Sequence, residues 1–144
     1  MATITSNYVD HTTTSMTKVN RATQTLRITY GLLPILAGLD KFMHLLTDWN
    51  KYLAPVVTDV IPLSPGVFMN IVGVIEIIAG IIVFVRPKIG SMIVGLWLIA
   101  IAINLLLTGQ YFDVAVRDII MAIGAFCLYL LLDDDKIVNE RPDH

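Results

Sequence analysis

Cysteine is almost absent from this sequence: Cys127 stands alone among 144 residues. A single thiol excludes an internal disulfide and any dithiol redox chemistry confined to the chain. A lone cysteine in an apolar helix reads as a small core residue. Charge is scarce too. Only 15% of residues are Asp, Glu, Lys or Arg, against about a quarter in a soluble domain, while 56% are apolar and mean hydropathy is +0.72. A net charge of −2 gives no sign of nucleic-acid binding. Histidine is missing where haem chemistry would need it: His44 lies near an apolar segment, but His11 and His144 lie toward the termini. Ligation of a haem by two histidines within the chain is therefore excluded, and no metal centre is expected. Residues 1–25 lack the apolar core and small-residue cleavage site of a secretory signal.

What the chain does have is long apolar sequence. Four windows, 26–46, 66–85, 89–107 and 114–132, are each long enough to cross a hydrocarbon core of about 30 Å at about 1.5 Å per helical residue. The four windows and their connections use up the length, which predicts one domain, an all-α integral membrane four-helix bundle. A polar N-terminal tail (1–25), rich in threonine such as Thr12, Thr13 and Thr14, precedes the bundle, and an acidic tail (133–144) follows it. Tails of that composition do not order themselves, so other membrane-protein subunits contacting both tails are the expected partners, beside membrane lipids.

Charge placement predicts the orientation. Lys18, Arg21 and Arg27 flank the first window, Arg86 and Lys88 occupy the turn between the second and third, and Lys136 and Arg141 follow the fourth. With four spans all of these fall on one side, and the opposite loops offer mainly Lys51. The positive-inside rule then places both termini in the cytoplasm, for a protein of a prokaryotic inner membrane. The longest connection, 47–65, carries Trp49, Tyr52 and three prolines, which suits the headgroup layer and a short interfacial helix near 48–58.

Against this apolar background Glu76 is the costliest residue. A carboxylate near the middle of a span faces the bundle interior and needs a partner or a task. Counting along each span places the other intramembrane polar groups, Asp40, Lys41, His44, Asn104, Arg117 and Asp118, in the outer half with it. Gly73, Glu76 and Gly80 share a helix face, as do Arg117 and Gly124, and small residues on one face allow close helix approach. Asp40 and His44, four apart, can touch. Three readings of the layer stand side by side. It is a structural network in which Arg117 and Lys41 neutralise Glu76, Asp40 and Asp118; or a small-molecule or proton site opening outward; or a polar patch covered by another subunit. On the second reading Asp40 and Glu76 relay protons, and His44 donates to a quinone. Trp97 and Tyr129 read as packing residues.

Three stretches resemble the DoxX-like family of small four-helix membrane proteins. They are Arg27-Ile-Thr-Tyr-Gly-Leu-Leu-Pro-Ile-Leu-Ala-Gly-Leu-Asp-Lys-Phe42, Gly73-Val-Ile-Glu-Ile-Ile-Ala-Gly80 and Arg117-Asp-Ile-Ile-Met-Ala-Ile-Gly124. The resemblance covers residues 26–132. It implies a subunit of a membrane quinol-oxidase, thiosulfate:quinone or oxidative-stress assembly. With one cysteine, sulfur chemistry does not carry over. The leading expectation is an accessory subunit of a membrane redox complex with no catalytic activity and no cofactor held within the chain. The alternatives are a small quinone-interacting oxidoreductase subunit using Asp40, Glu76 and Arg117, and a lipid or small-solute binder. The last requires an open cavity beside Glu76.

Overall fold

The computed structural model of the chain describes residues 2–139, with side chains from Met16 to Asp133. It is built from helices: α1 (Ala2–Met43), a 3-10 turn (Trp49–Tyr52), α2 (Pro55–Val60), α3 (Pro65–Val85), α4 (Pro87–Thr108) and α5 (Phe112–Asn139). The last five residues, 140–144, with Arg141 among them, lie outside the described residues.

Proline sets where most of these helices begin. Pro55, Pro65 and Pro87 each occupy the first helical turn, where the missing N–H costs nothing and the fixed φ suits the helix. Arg86 is at once the last cap of α3 and the first of α4, so those two helices fold back with no loop between them. Gly90 makes that turn feasible: a Cβ there would run into the backbone of Val83. At the far end of α4, Gly109 adopts φ 70° and donates its N–H to the Leu106 carbonyl at 3.1 Å, a left-handed cap that glycine takes without strain.

The segment read from composition as a polar tail is helical from Ala2 and continuous with the first apolar window. Threonine lowers helix propensity through its branched Cβ, but here its hydroxyls bond within the helix. Thr23 donates to the Val19 carbonyl at 3.0 Å and Thr25 to the Arg21 carbonyl at 2.9 Å, each four residues back. Pro34 lies inside α1 without ending it. The connection expected to hold one interfacial helix instead holds two short ones, divided at Ala54–Pro55.

Helices α3, α4 and the Phe112–Asp133 part of α5 are long and apolar enough to cross a membrane. Helix α1 is not apolar enough by the same measure. Its charge-free stretch, Ile28 to Leu39, spans about 18 Å between Arg27 and Asp40, short of a hydrocarbon core. Side chains such as Ile78, Leu96, Ile103, Ile120 and Ile123 lie exposed around the bundle, a girdle too apolar for water.

Helices α1 and α3 pack antiparallel with backbone against backbone. A Cβ on Gly38 would meet the Gly73 carbonyl oxygen at 2.5 Å, and one on Gly80 would meet the Gly31 carbonyl oxygen at 2.5 Å. The two glycine pairs are seven residues apart on each helix, two turns, so they recur on one face. Helix α5 pairs with α4 on the other side. The buried core (Val83, Val94, Leu98, Ala125 and Leu128) fills the half of the bundle near the Arg86 turn. There Tyr30 crosses from α1 to donate its hydroxyl to the Met121 carbonyl of α5 at 2.7 Å. Gly124 leaves the space: a Cβ there would collide with that hydroxyl.

Candidate functional site

The other half of the bundle, under the 44–64 connection, is only partly filled, by Ala102, Leu105 and Ala115 packed against Tyr52 and Tyr111. A half-open cavity of about 760 Å³ lies there among α1, α3, α4 and α5. Lys41, Glu76, Asn104, Arg117 and Asp118 all line it, and the rest of the wall is mainly apolar and aromatic, with Trp49, Tyr52, Phe68 and Trp97. Five of the seven polar residues singled out from sequence therefore meet at one cavity. Asp40 and His44 are not part of its lining.

Lys41 and Glu76 are the centre of the site. Lys41 Nζ donates to Glu76 Oε2 at 2.6 Å, and both side chains are 5% exposed. The glycine contacts leave room for the pairing: in the antiparallel seam the Lys41 Cβ lies against Gly73 and the Glu76 Cβ against Gly38, and the two long side chains reach toward each other along it. The ammonium also sits 3.9 Å from the centroid of the Trp49 ring, a cation–π contact that is strongest when water is excluded. The second oxygen of Glu76 receives only the Trp97 indole N–H, at 3.5 Å.

Asp40 has a different task from the one expected. It meets no cation. Its Oδ1 accepts the backbone N–H groups of Leu45 and Leu46, each at 3.0 Å, and its Oδ2 accepts the Trp49 indole N–H at 2.7 Å. The carboxylate thus closes the C-terminus of α1 and fixes the tryptophan that covers Lys41. His44 supplies the reversal, with φ 52° and its backbone N–H on the Asp40 carbonyl at 2.7 Å. Its side chain is exposed. Asp40 and His44 share a backbone bond, and an indole and two amides hold the Asp40 carboxylate by hydrogen bonds where a Lys or Arg was expected.

Asn104 holds the connection down over the cavity. Its Nδ2 donates to the Tyr52 carbonyl at 2.7 Å, and its Oδ1 accepts from the backbone N–H of Ala54, which is fully buried, at 3.1 Å. The Tyr52 ring, 4.6 Å from that of Tyr111, and Trp49 beyond it form an aromatic roof. On α5, Arg117 and Asp118 are neighbours with opposite environments. Arg117 is 65% exposed, Asp118 only 7%, and the Arg117 Nε stands 3.6 Å from the carboxylate, beyond hydrogen-bond length.

The arrangement gathers an ammonium, a guanidinium and two carboxyl groups with spare acceptor capacity around a cavity of about 760 Å³ under an aromatic roof, which suits binding and proton exchange. Among the described residues no three His, Cys, Asp or Glu side chains converge as metal ligands do. Trp49 and Trp97 were missed as site residues. For Trp97 a signal existed, since Trp97 and Asn104 are seven apart and share one face of α4. For Trp49 there was none, because its position depends on the reversal at His44. Compared with family models, curated proteins and solved structures, the chain matches none.

Proposed function

We propose that this is a four-span membrane protein that holds one small amphipathic molecule in the outer half of its bundle, as a non-catalytic subunit of a membrane redox assembly. The observation that carries the binding reading is the cavity: about 760 Å³, bounded by all four long helices, with Glu76 and Asp118 buried in its wall. A layer that served only to lock helices together would be closed by its own partners.

Helix α1 is the fourth span on this reading, because its charges do not face lipid unpaired. Lys41 is closed by Glu76 and Trp49, Asp40 by an indole and two amides, and Arg27 donates to the Phe84 carbonyl at the end of α3 at 2.5 Å. Both termini then lie on the side of Arg27, Arg86 and Lys88, the cytoplasmic side by the positive-inside rule. The redox setting rests on the DoxX-like resemblance, whose three stretches supply Lys41, Glu76, Arg117 and Asp118 to the cavity wall and the glycines of the α1–α3 contact. A quinone ring is the ligand that resemblance offers.

Extraction from membranes in mild detergent tests both parts. Mass spectrometry of a solvent extract is expected to find one small amphiphile in near-stoichiometric amount, depleted in a Val72→Phe variant that narrows the cavity without touching its charges. A protein that carries none, or whose content Val72→Phe leaves unchanged, ends the binding reading. A detergent particle with the mass of a bare monomer or homodimer, with no companion subunit, ends the assembly reading.

A further inference from the structure

Within the cavity, charge and hydrogen-bonding capacity are unbalanced, and the imbalance names a ligand class. Lys41 is already committed, with its ammonium on Glu76 Oε2 at 2.6 Å and against the Trp49 ring. That leaves Glu76 Oε1 with one long contact to Trp97, and Asp118 with no hydrogen bond shown among the described residues. The cation beside Asp118 cannot settle its charge fully, because Arg117 is two-thirds exposed and stands off at 3.6 Å. Lys41, Glu76 and Asp118, the titratable groups buried in the wall, therefore comprise one more carboxyl than ammonium, and the Arg117 guanidinium beside them is mostly exposed. Asp40, the other buried carboxylate nearby, already accepts from three donors.

We infer that the cavity takes a hydrophobic primary amine, whose ammonium donates to Asp118 and to the free oxygen of Glu76 while its apolar body lies against Trp97, Phe68 and Tyr52. This rests on the binding reading above and narrows its ligand. A carboxylate with unused lone pairs in a dry wall gains most from a charged donor, and aromatic faces favour a cation beside them. A carbonyl head such as that of a quinone brings only acceptors to a site whose vacant positions are acceptors. An anion would meet two carboxyl groups and an ammonium that is already paired, with only the mostly exposed Arg117 guanidinium to receive it.

The chain's two tryptophans, Trp49 and Trp97, both line the cavity, so intrinsic fluorescence reports on its contents. The full chain in nanodiscs of zwitterionic lipid at pH 7 is titrated with 4-phenylbutylamine, 4-phenylbutan-1-ol and 4-phenylbutyrate, with empty nanodiscs correcting for partition. The amine is expected to give a saturable change with a dissociation constant at least about tenfold below that of the alcohol. Asp118→Asn is expected to weaken the amine about tenfold and leave the alcohol unchanged, with Glu76→Gln as a second variant. Equal binding of amine and alcohol, or tightest binding of 4-phenylbutyrate, overturns the amine and leaves the binding reading standing. No saturable signal from any of the three overturns both. If Asp118→Asn does not assemble, the ratio of amine to alcohol in the unaltered protein decides.

Discussion

Removing Lys41 is the sharpest test of how the polar layer is held together. At 2.6 Å, two unit charges attract by about 6 kcal/mol in a medium of effective dielectric about 20. Burying both ions cancels most of that, so the intact pair adds little net stability, but deleting one partner strands the other. Lys41→Met is expected to destabilise the bundle by about 3–5 kcal/mol, because it leaves Glu76 facing Asp118, which lies within electrostatic range of it. Glu76→Gln should cost less, since Lys41 keeps the Trp49 ring and has Asp118 within the same range. In the double variant no stranded charge remains at the pair, and its stability should return to within about 2 kcal/mol of the unaltered protein. Unfolding by titration with SDS in mixed micelles, followed by the loss of far-ultraviolet circular dichroism, measures all four corners of the cycle. Single variants that each cost under about 1 kcal/mol and simply add would show that water in the cavity solvates these groups. The account of a dry, mutually dependent pair would then be wrong.

Asp40→Ala removes three hydrogen bonds at the end of α1 and releases Trp49. A loss of about 2–3 kcal/mol is expected, together with a red shift of tryptophan emission; unchanged emission would mean that the aspartate does not position the indole. Gly73→Ala should destabilise, because its Cβ would meet the Gly38 carbonyl oxygen at 2.8 Å, whereas Gly66→Ala, with open space around it, should be neutral or stabilising by up to about 1 kcal/mol. The same SDS titration reads both, and equal effects at the two glycines would refute the close α1–α3 approach.

What could be read from sequence divides along a physical line. Local rules carried far: the apolar windows 66–85 and 89–107 form the helices α3 and α4, although Pro65 and Pro87, read as breakers, open those helices. Depth counting placed seven polar groups in the outer half, and five of them, Lys41, Glu76, Asn104, Arg117 and Asp118, line one cavity, whereas Asp40 and His44 do not. Pairing was less accessible. Nothing in the spacing of Asp40 reveals that it takes an indole from nine residues on, because that contact depends on a left-handed reversal at His44. The cavity itself was beyond reach, since a void is a property of how four helices diverge, and periodicity describes each helix alone. The helical run through the threonine-rich segment was hidden because composition counts each threonine as a helix breaker and cannot see hydroxyls bonding four residues back.

The paired glycines of α1 and α3 also bear on how such a chain is assembled. With Gly31 keyed to Gly80 and Gly38 to Gly73, α1 cannot slide along α3 by one turn, about 5.4 Å, without driving side chains into backbone. Helix α1 has no apolar run long enough to choose its own depth in a bilayer, so its level is read from its neighbour. Translation makes α1 first, yet its final position is defined only once α3 has emerged. A fragment ending at residue 64 is therefore expected to be stripped from membranes by alkaline carbonate, while one ending at residue 88 resists it; retention of the shorter fragment would show that α1 anchors unaided. The seam that lets two backbones touch thus also schedules the order in which the protein enters its membrane.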